Sequence, residues 1–336
     1  MSSWPQSSIR ILLGLIIFLG GIYVSRLAFS PDLPLVGVIQ WTREVKPFED
    51  SLQGVIEGLR EDGYQDGLNI RLEVINAQGE KAAAAAAARE FLKKKAGLLI
   101  TVGTVPTLIA LEVTRDTKIP IVYTLVGSPN ATGLSPPPPP QAVRFTGTSM
   151  EVPVVEQLRF LLLARPGLKR LGILFCKATP QAAATGEEAE RVSPSLGLTP
   201  ILRAVTDDRP ETLLQTVTDL VHEKIEALFI PTDPVLATTK NLKIICDATM
   251  RAFIPVMAPD GNSVAFGPLI SYHCDFVEIG RQSGRQAARL LNGTPLDQVP
   301  PESPVIKKLT INLKVAHDLH MSLSRQLLSQ ADQFHQ

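Results

Sequence analysis

From Leu35 onward, short apolar runs alternate with longer stretches whose apolar residues recur at helical spacing, the signature of βαβ units around a parallel sheet. Residues 35–40 read as a buried strand, and Leu52, Val55, Ile56 and Leu59 share one face of a helix over 48–61. A strand follows at 69–75, then a helix at 81–95 whose seven consecutive alanines need no role beyond high helix propensity. The unit repeats as a strand at 98–102, a helix at 105–115 and a strand at 119–125. Residues 127–141 break the rhythm, because the proline run at 136–140 cannot join a central sheet.

A second series starts after residues 143–148, with a helix at 154–163. It continues as strand 170–175, a helix around 182–191, strand 199–205, helix 211–222, strand 227–230, helix 235–250, and strands 254–257 and 269–272. An amphipathic helix at 276–291 stops at Asn292-Gly293 with Pro295 just beyond, and a strand at 308–313 closes the pattern. The fold class this implies is α/β, with two similar halves, each a doubly wound parallel sheet.

The ends differ from this body. Residues 11–24 are apolar and uncharged between Arg10 and Arg26. The run is shorter than the roughly 20 residues of a comfortable spanning helix, which fits an export signal over residues 1–30. Its cleavage region offers only Ala28 as a clear small residue, so an uncleaved N-terminal membrane anchor competes, with a buried apolar segment as a third reading. Residues 321–336, rich in Ser and Gln, are expected to be a disordered tail.

Composition narrows the function. The 336 residues make about two domains at roughly 150 residues each. The balance of 33 Lys and Arg against 33 Asp and Glu argues against nucleic acid as a partner, and against a polybasic membrane-binding surface. Without residues 1–30 the body still carries 31 bases against 33 acids. Cys176, Cys246 and Cys274 lie too far apart for a disulfide framework or a zinc site and read as buried thiols. Walker, dinucleotide-binding, nucleophile-elbow and zincin motifs are all missing from the sequence, so no catalytic residue, cofactor or metal is implied. His317 and His320 can share a helix face, but no further ligand lies near them in sequence.

What remains is the set of strand-to-helix junctions, where doubly wound sheets bind ligands. They supply Gln40 and Trp41, Thr104, Gly127 and Ser128 in the first half, and Lys177, Thr179, Thr232, Asp233, Asp260 and Asp275 in the second. Small hydroxyls and carboxylates suit a small polar ligand held between two lobes. The same residues are also ordinary helix caps: Thr104 before Val-Pro, Asp233 before Pro234, and Asp275 with Glu278 as a capping box.

Lys46-Pro47, Leu59-Arg60-Glu61-Asp62-Gly63-Tyr64, Asn76-Ala77-Gln78-Gly79, Pro231-Thr232-Asp233 and the stretch from Asp275 to Gly284 occur in an order that resembles ABC transporter substrate-binding proteins of the branch that includes tryptophan binders. The resemblance spans roughly 35–319. It implies a type I periplasmic-binding-protein fold: two lobes joined by a hinge of three crossover strands, enclosing a small-molecule ligand on closure. It divides the chain into one lobe of 34–148 plus 275–303 and a second of 149–274 plus 304–320. The implied partner is an ABC permease in the membrane, the location periplasmic or extracytoplasmic, and the protein a monomer. The family's pattern has an acid where this chain has Gly127-Ser128, and an Asn-Ser-Gly-Glu type loop where it has Lys177-Ala178-Thr179. Lys46 stands in place of a His, and Cys274 in place of a Gly before Asp275.

The leading expectation is therefore a non-catalytic solute-binding component of an ABC importer that takes an amino-acid-like ligand. Asp275 is the expected partner of the ligand's ammonium. Two alternatives are a ligand sensor tethered by residues 11–24, and a hydrolase using Ser128 or Ser271 with His273.

Overall fold

The computed structural model describes residues 33–134, 144–207 and 209–336. The apolar run at 11–24 and the prolines at 136–140 lie outside the described residues.

The first sheet is all parallel, built from β1 (Leu35–Gln40), β2 (Arg71–Asn76), β3 (Leu98–Val102), β4 (Ile121–Val126) and β5 (Phe145–Ser149). Its order, β2-β1-β3-β4-β5, follows from the chain winding outward once and then back across β1. Helices α1 (Lys46–Glu61), α2 (Lys81–Lys93) and α3 (Thr104–Val113) make the crossovers. β1, β3 and β4 are buried along their whole length, which is why they read as unbroken apolar runs, while the edge strand β2 is only half-buried.

The second sheet contains β6 (Arg170–Cys176), β7 (Thr199–Val205), β8 (Ala227–Phe229), β9 (Val256–Met257), β10 (Ile270–Cys274), β11 (Lys307–Asn312) and β12 (Gln333–His335), in the order β12-β11-β10-β9-β8-β6-β7. It is flanked by α4 (Val154–Ala164), α5 (Pro180–Val192), α6 (Pro210–His222) and α7 (Thr239–Met250). One pairing departs from a parallel sheet: β11 runs antiparallel to β10, with Cys274 opposite Lys307. The reason is the path between them. After β10 the chain leaves for the first sheet as α8 (Phe276–Leu291), so it re-enters beside the end of β10 and has to run the other way.

α8 packs along α1 and over β4 and β5. The contact is close because both helices place glycines four residues apart on the facing side. A Cβ on Gly54 would lie 1.9 Å from the Val277 carbonyl oxygen, and one on Gly280 2.1 Å from that of Ser51. Beside this seam the Arg281 guanidinium is ion-paired with Glu57 and Glu278.

Two elements differ from the sequence expectation. The helix expected over 235–250 begins only at Thr239, because the Asp233 carboxylate accepts the Val235 and Leu236 N–H groups and closes a separate turn, after which Thr238 caps the helix through the Asn241 N–H. The chain end expected to be disordered is built in. Residues 313–318 form α9 (Leu313–Asp318), Ser324 caps α10 (Arg325–Leu328), and β12 adds to β11 as a parallel edge strand. Leu327 is fully buried in the core of the second half, and the Leu309 N–H donates to Asp332 at 2.7 Å. A few leucines anchor an otherwise polar segment. All three cysteines are buried and free, and burial followed by the charge of Asp247 pushes the Cys246 thiol up to about 12.

Candidate functional site

The chain passes between the two sheets three times, after Ser149, after Cys274 and before Lys307. Beside these passages lies a cavity walled by both halves: Gly127 and Ser128 after β4, Met150 and Glu151 after β5, Gln181 and Thr185 on α5, and Thr232 after β8. Its free space is about 20 Å³, the room of roughly one water.

The two halves touch across this gap. Ser128 is held at φ +43, and its hydroxyl lies 3.2 Å from Thr185 Oγ1 and donates to the Gln181 carbonyl at 3.4 Å. The Ser128 loop is fixed from behind by Thr104, whose Oγ1 accepts the Gly127 N–H at 3.2 Å. Thr104 is thus not the cap its position indicated. It stands inside α3, and Gly103, at φ +112, occupies the N-cap position.

Of the residues singled out from sequence, Gly127, Ser128 and Thr232 line the cavity, whereas Gln40, Trp41, Thr104, Lys177, Thr179, Asp233, Asp260 and Asp275 do not. Several of the latter have partners within the chain. Gln40 is buried, donates to Glu49 at 2.7 Å and accepts from Arg43. Trp41 packs against the core formed around β1 and α2. The Lys177 side chain is exposed, and Thr179 is buried at the start of α5 without capping it. Asp260 accepts the Ser263 N–H and hydroxyl. Asp233, 1% exposed, accepts three backbone N–H groups, from Cys176 at 2.6 Å, Val235 at 2.9 Å and Leu236 at 3.2 Å. Burial raises its pKa, and those three donors oppose the rise.

Asp275, the expected partner of a ligand ammonium, has partners within the chain. Its carboxylate caps α8 through the N–H groups of Val277 at 2.9 Å and Glu278 at 3.2 Å, and it is ion-paired with Lys308 on β11. Burial pushes the carboxyl up, but Lys308 and the two amides outweigh it and hold the group below the usual aspartate range. The chain itself therefore supplies the cation that a ligand ammonium was expected to supply. The capping box is only half formed, since Glu278 turns to Arg281.

Glu151 was missed. It is half-buried, lines the cavity and has no hydrogen-bond or ion-pair partner among the described residues. Burial, then the charge of Glu188 on α5, pushes its carboxyl above the usual glutamate value. It lies two residues beyond β5, where the chain leaves for the other half, and no strand-to-helix junction within one half marks that place.

His273 also lines the cavity, but its ring is engaged: Nδ1 donates to the Cys274 carbonyl at 2.8 Å and Nε2 accepts from the Thr310 hydroxyl at 3.1 Å. Burial lowers its pKa, so it is neutral at pH 7. Neither serine proposed as a nucleophile is hydrogen-bonded to it, since Ser128 faces α5 and Ser271 Oγ is buried without a partner. Among the described residues no cluster of three His, Cys, Asp or Glu side chains can hold a metal ion, and no helix is long and apolar enough to cross a membrane.

Two parallel-sheet halves, three passages between them and a cavity at the junction define the class as type I periplasmic-binding-protein-like. Solved structures support this. The structure superposes with a TM-score of 0.75 on an ABC domain in complex with L-Trp from Streptococcus pneumoniae, at 21% identity, covering 90% of this chain and 99% of that one. It gives 0.77 with a ligand-free, open substrate-binding protein with adhesive properties from Clostridium difficile, at 22% identity and the same coverages. A curated relative, a tyrosine-binding protein of Clostridioides difficile, is 24% identical over 265 residues, which is 79% of this chain and 74% of the relative. Residues 36–335 match the family model described as ABC transporter substrate binding protein, and the chain belongs to that family. Its members are extracytoplasmic proteins that bind small molecules and work with an ABC permease.

Proposed function

We propose that this protein binds an amino-acid-like solute between its two halves, closes over it about the three passages, and presents it to an ABC permease as a monomer. The residues proposed to meet the solute are Gly127, Ser128, Glu151, Gln181, Thr185 and Thr232. The observation that carries this reading is the contact across the gap: Ser128 reaches α5 directly, and the free space of about 20 Å³ has room for roughly one water rather than an amino acid. A solute enters only if the halves part, and the same side chains then close on it. The relatives point to the ligand class, since one is named for tyrosine and another was solved with L-Trp. Aromatic amino acids are thus the first probes. Residues 11–24 would direct export, with or without retention at the membrane.

Small-angle scattering tests the hinge. Saturating L-tyrosine or L-tryptophan is expected to lower the radius of gyration, whereas calorimetric saturation with an unchanged radius would refute closure.

A further inference from the structure

We infer that Glu151 recognises a cationic group on the solute, so that the site selects ligands bearing an ammonium or comparable cation. The inference rests on the solute-binding reading above and names the side chain that sets its specificity.

Three observations carry it. Among the described residues, Glu151 is the only carboxylic acid that lines the cavity, and no Lys or Arg lines it: His273 is neutral with both nitrogens engaged, burial keeps the Cys274 thiol protonated, and the remaining polar groups are amides and hydroxyls. Other acids around the passages have partners, Asp233 in backbone amides, Asp260 in Ser263, Asp275 in Lys308 and Glu156 in Lys307. Glu151 has none among the described residues, a costly arrangement for a half-buried carboxylate unless a cation arrives. Glu188, on the helix that closes from the other half, adds a second negative charge, and its nearest cation, Arg191, stands 3.9 Å away. A cation between the halves relieves this repulsion when they come together, so binding and closure favour each other.

The titratable groups that interact with Glu151 are Glu188 on α5 and Tyr123 on β4, pushed up to about 12 by burial and then by Glu151 itself, while the neutral His273 on β10 shares its cavity. Of these, Glu151 is the carboxyl that burial and a neighbouring like charge push up. Lowering the pH therefore protonates Glu151 and weakens cation binding, and the loss begins above the ordinary glutamate range.

The test is calorimetry and thermal shift on the full chain and its Glu151→Gln variant. The probes are L-tyrosine, L-tryptophan, tyramine, tryptamine and the deaminated acid 3-(4-hydroxyphenyl)propionate. Amine-bearing probes are expected to bind the wild type and to lose about thirty-fold or more in affinity in the variant. The acid lacking the amine is expected to bind weakly to both. Without probe, the variant is expected to melt no lower than the wild type, because a poorly solvated charge has been removed. Should the variant fold poorly, wild-type affinity across pH decides: a fall on acidification supports Glu151, and a flat profile overturns it. Unchanged affinity in a folded variant, or equal binding of the deaminated acid by the wild type, overturns the inference and leaves the solute-binding reading standing. No response of the wild type to any amine-bearing probe overturns the amino-acid reading along with it.

Discussion

The Asp233 carboxylate ties two junctions of the second half together: one oxygen accepts the Cys176 N–H at the end of β6, and the other accepts Val235 and Leu236 in its own turn. Replacement by Ala leaves three N–H groups without their acceptor and is expected to cost about 3 kcal/mol in urea unfolding. Asn keeps the turn but presents an NH₂ to the Cys176 N–H, so an intermediate loss of about 1.5 kcal/mol is expected. An Asn variant as stable as the wild type would show that the second oxygen is not needed. Asp233, Thr104 and Asp275 illustrate how far single residues are legible in the sequence. A carboxylate or hydroxyl beside a helix start shows that a backbone donor will be met, but not whose. Thr104 meets Gly127 from another junction, and Asp275 meets Lys308 across a strand pair formed only after a long excursion. Glu151 was invisible for a related reason: what marks it is the absence of a partner, and partners exist only in three dimensions.

Elements are far more legible, because hydrophobic period reports burial directly. β1, β3, β7 and α8 occupy the expected residues, since each combines a clean apolar pattern with a definite stop such as Gln40 or Asn292-Gly293. The sequence is weakest where polar chemistry or sparse apolar anchors decide, as at the delayed start of α7 and at the folded chain end around Leu327. The glycine seam between α1 and α8 belongs to this scale, with Gly54 and Gly58 facing Gly280 and Gly284. Alanine at Gly54 gains up to about 1 kcal/mol of helix propensity, yet its Cβ would stand 1.9 Å from a backbone oxygen that cannot turn away. The helices must separate, and a net loss of about 1–3 kcal/mol is expected. Urea unfolding of Gly54→Ala checks this, and unchanged stability would mean that the seam yields at no cost.

At the scale of the whole molecule, two α/β halves are visible in the sequence because the strand and helix rhythm simply occurs twice. The return of α8 to the first half is not, since nothing local to residues 276–291 says which sheet they cover; the match of their glycines to those of α1 does, and only once the two are side by side. The approach of the halves at Ser128 and α5 is likewise a property of the assembled chain. The central claim is that this assembly exists to hold one small solute. Native mass spectrometry tests it most directly, using protein purified without denaturation and then incubated in turn with each of the common L-amino acids. The expected result is a single non-covalent adduct, one per chain, with the mass of an amino acid and released on acid denaturation. A bare chain mass under every one of these conditions would contradict the account.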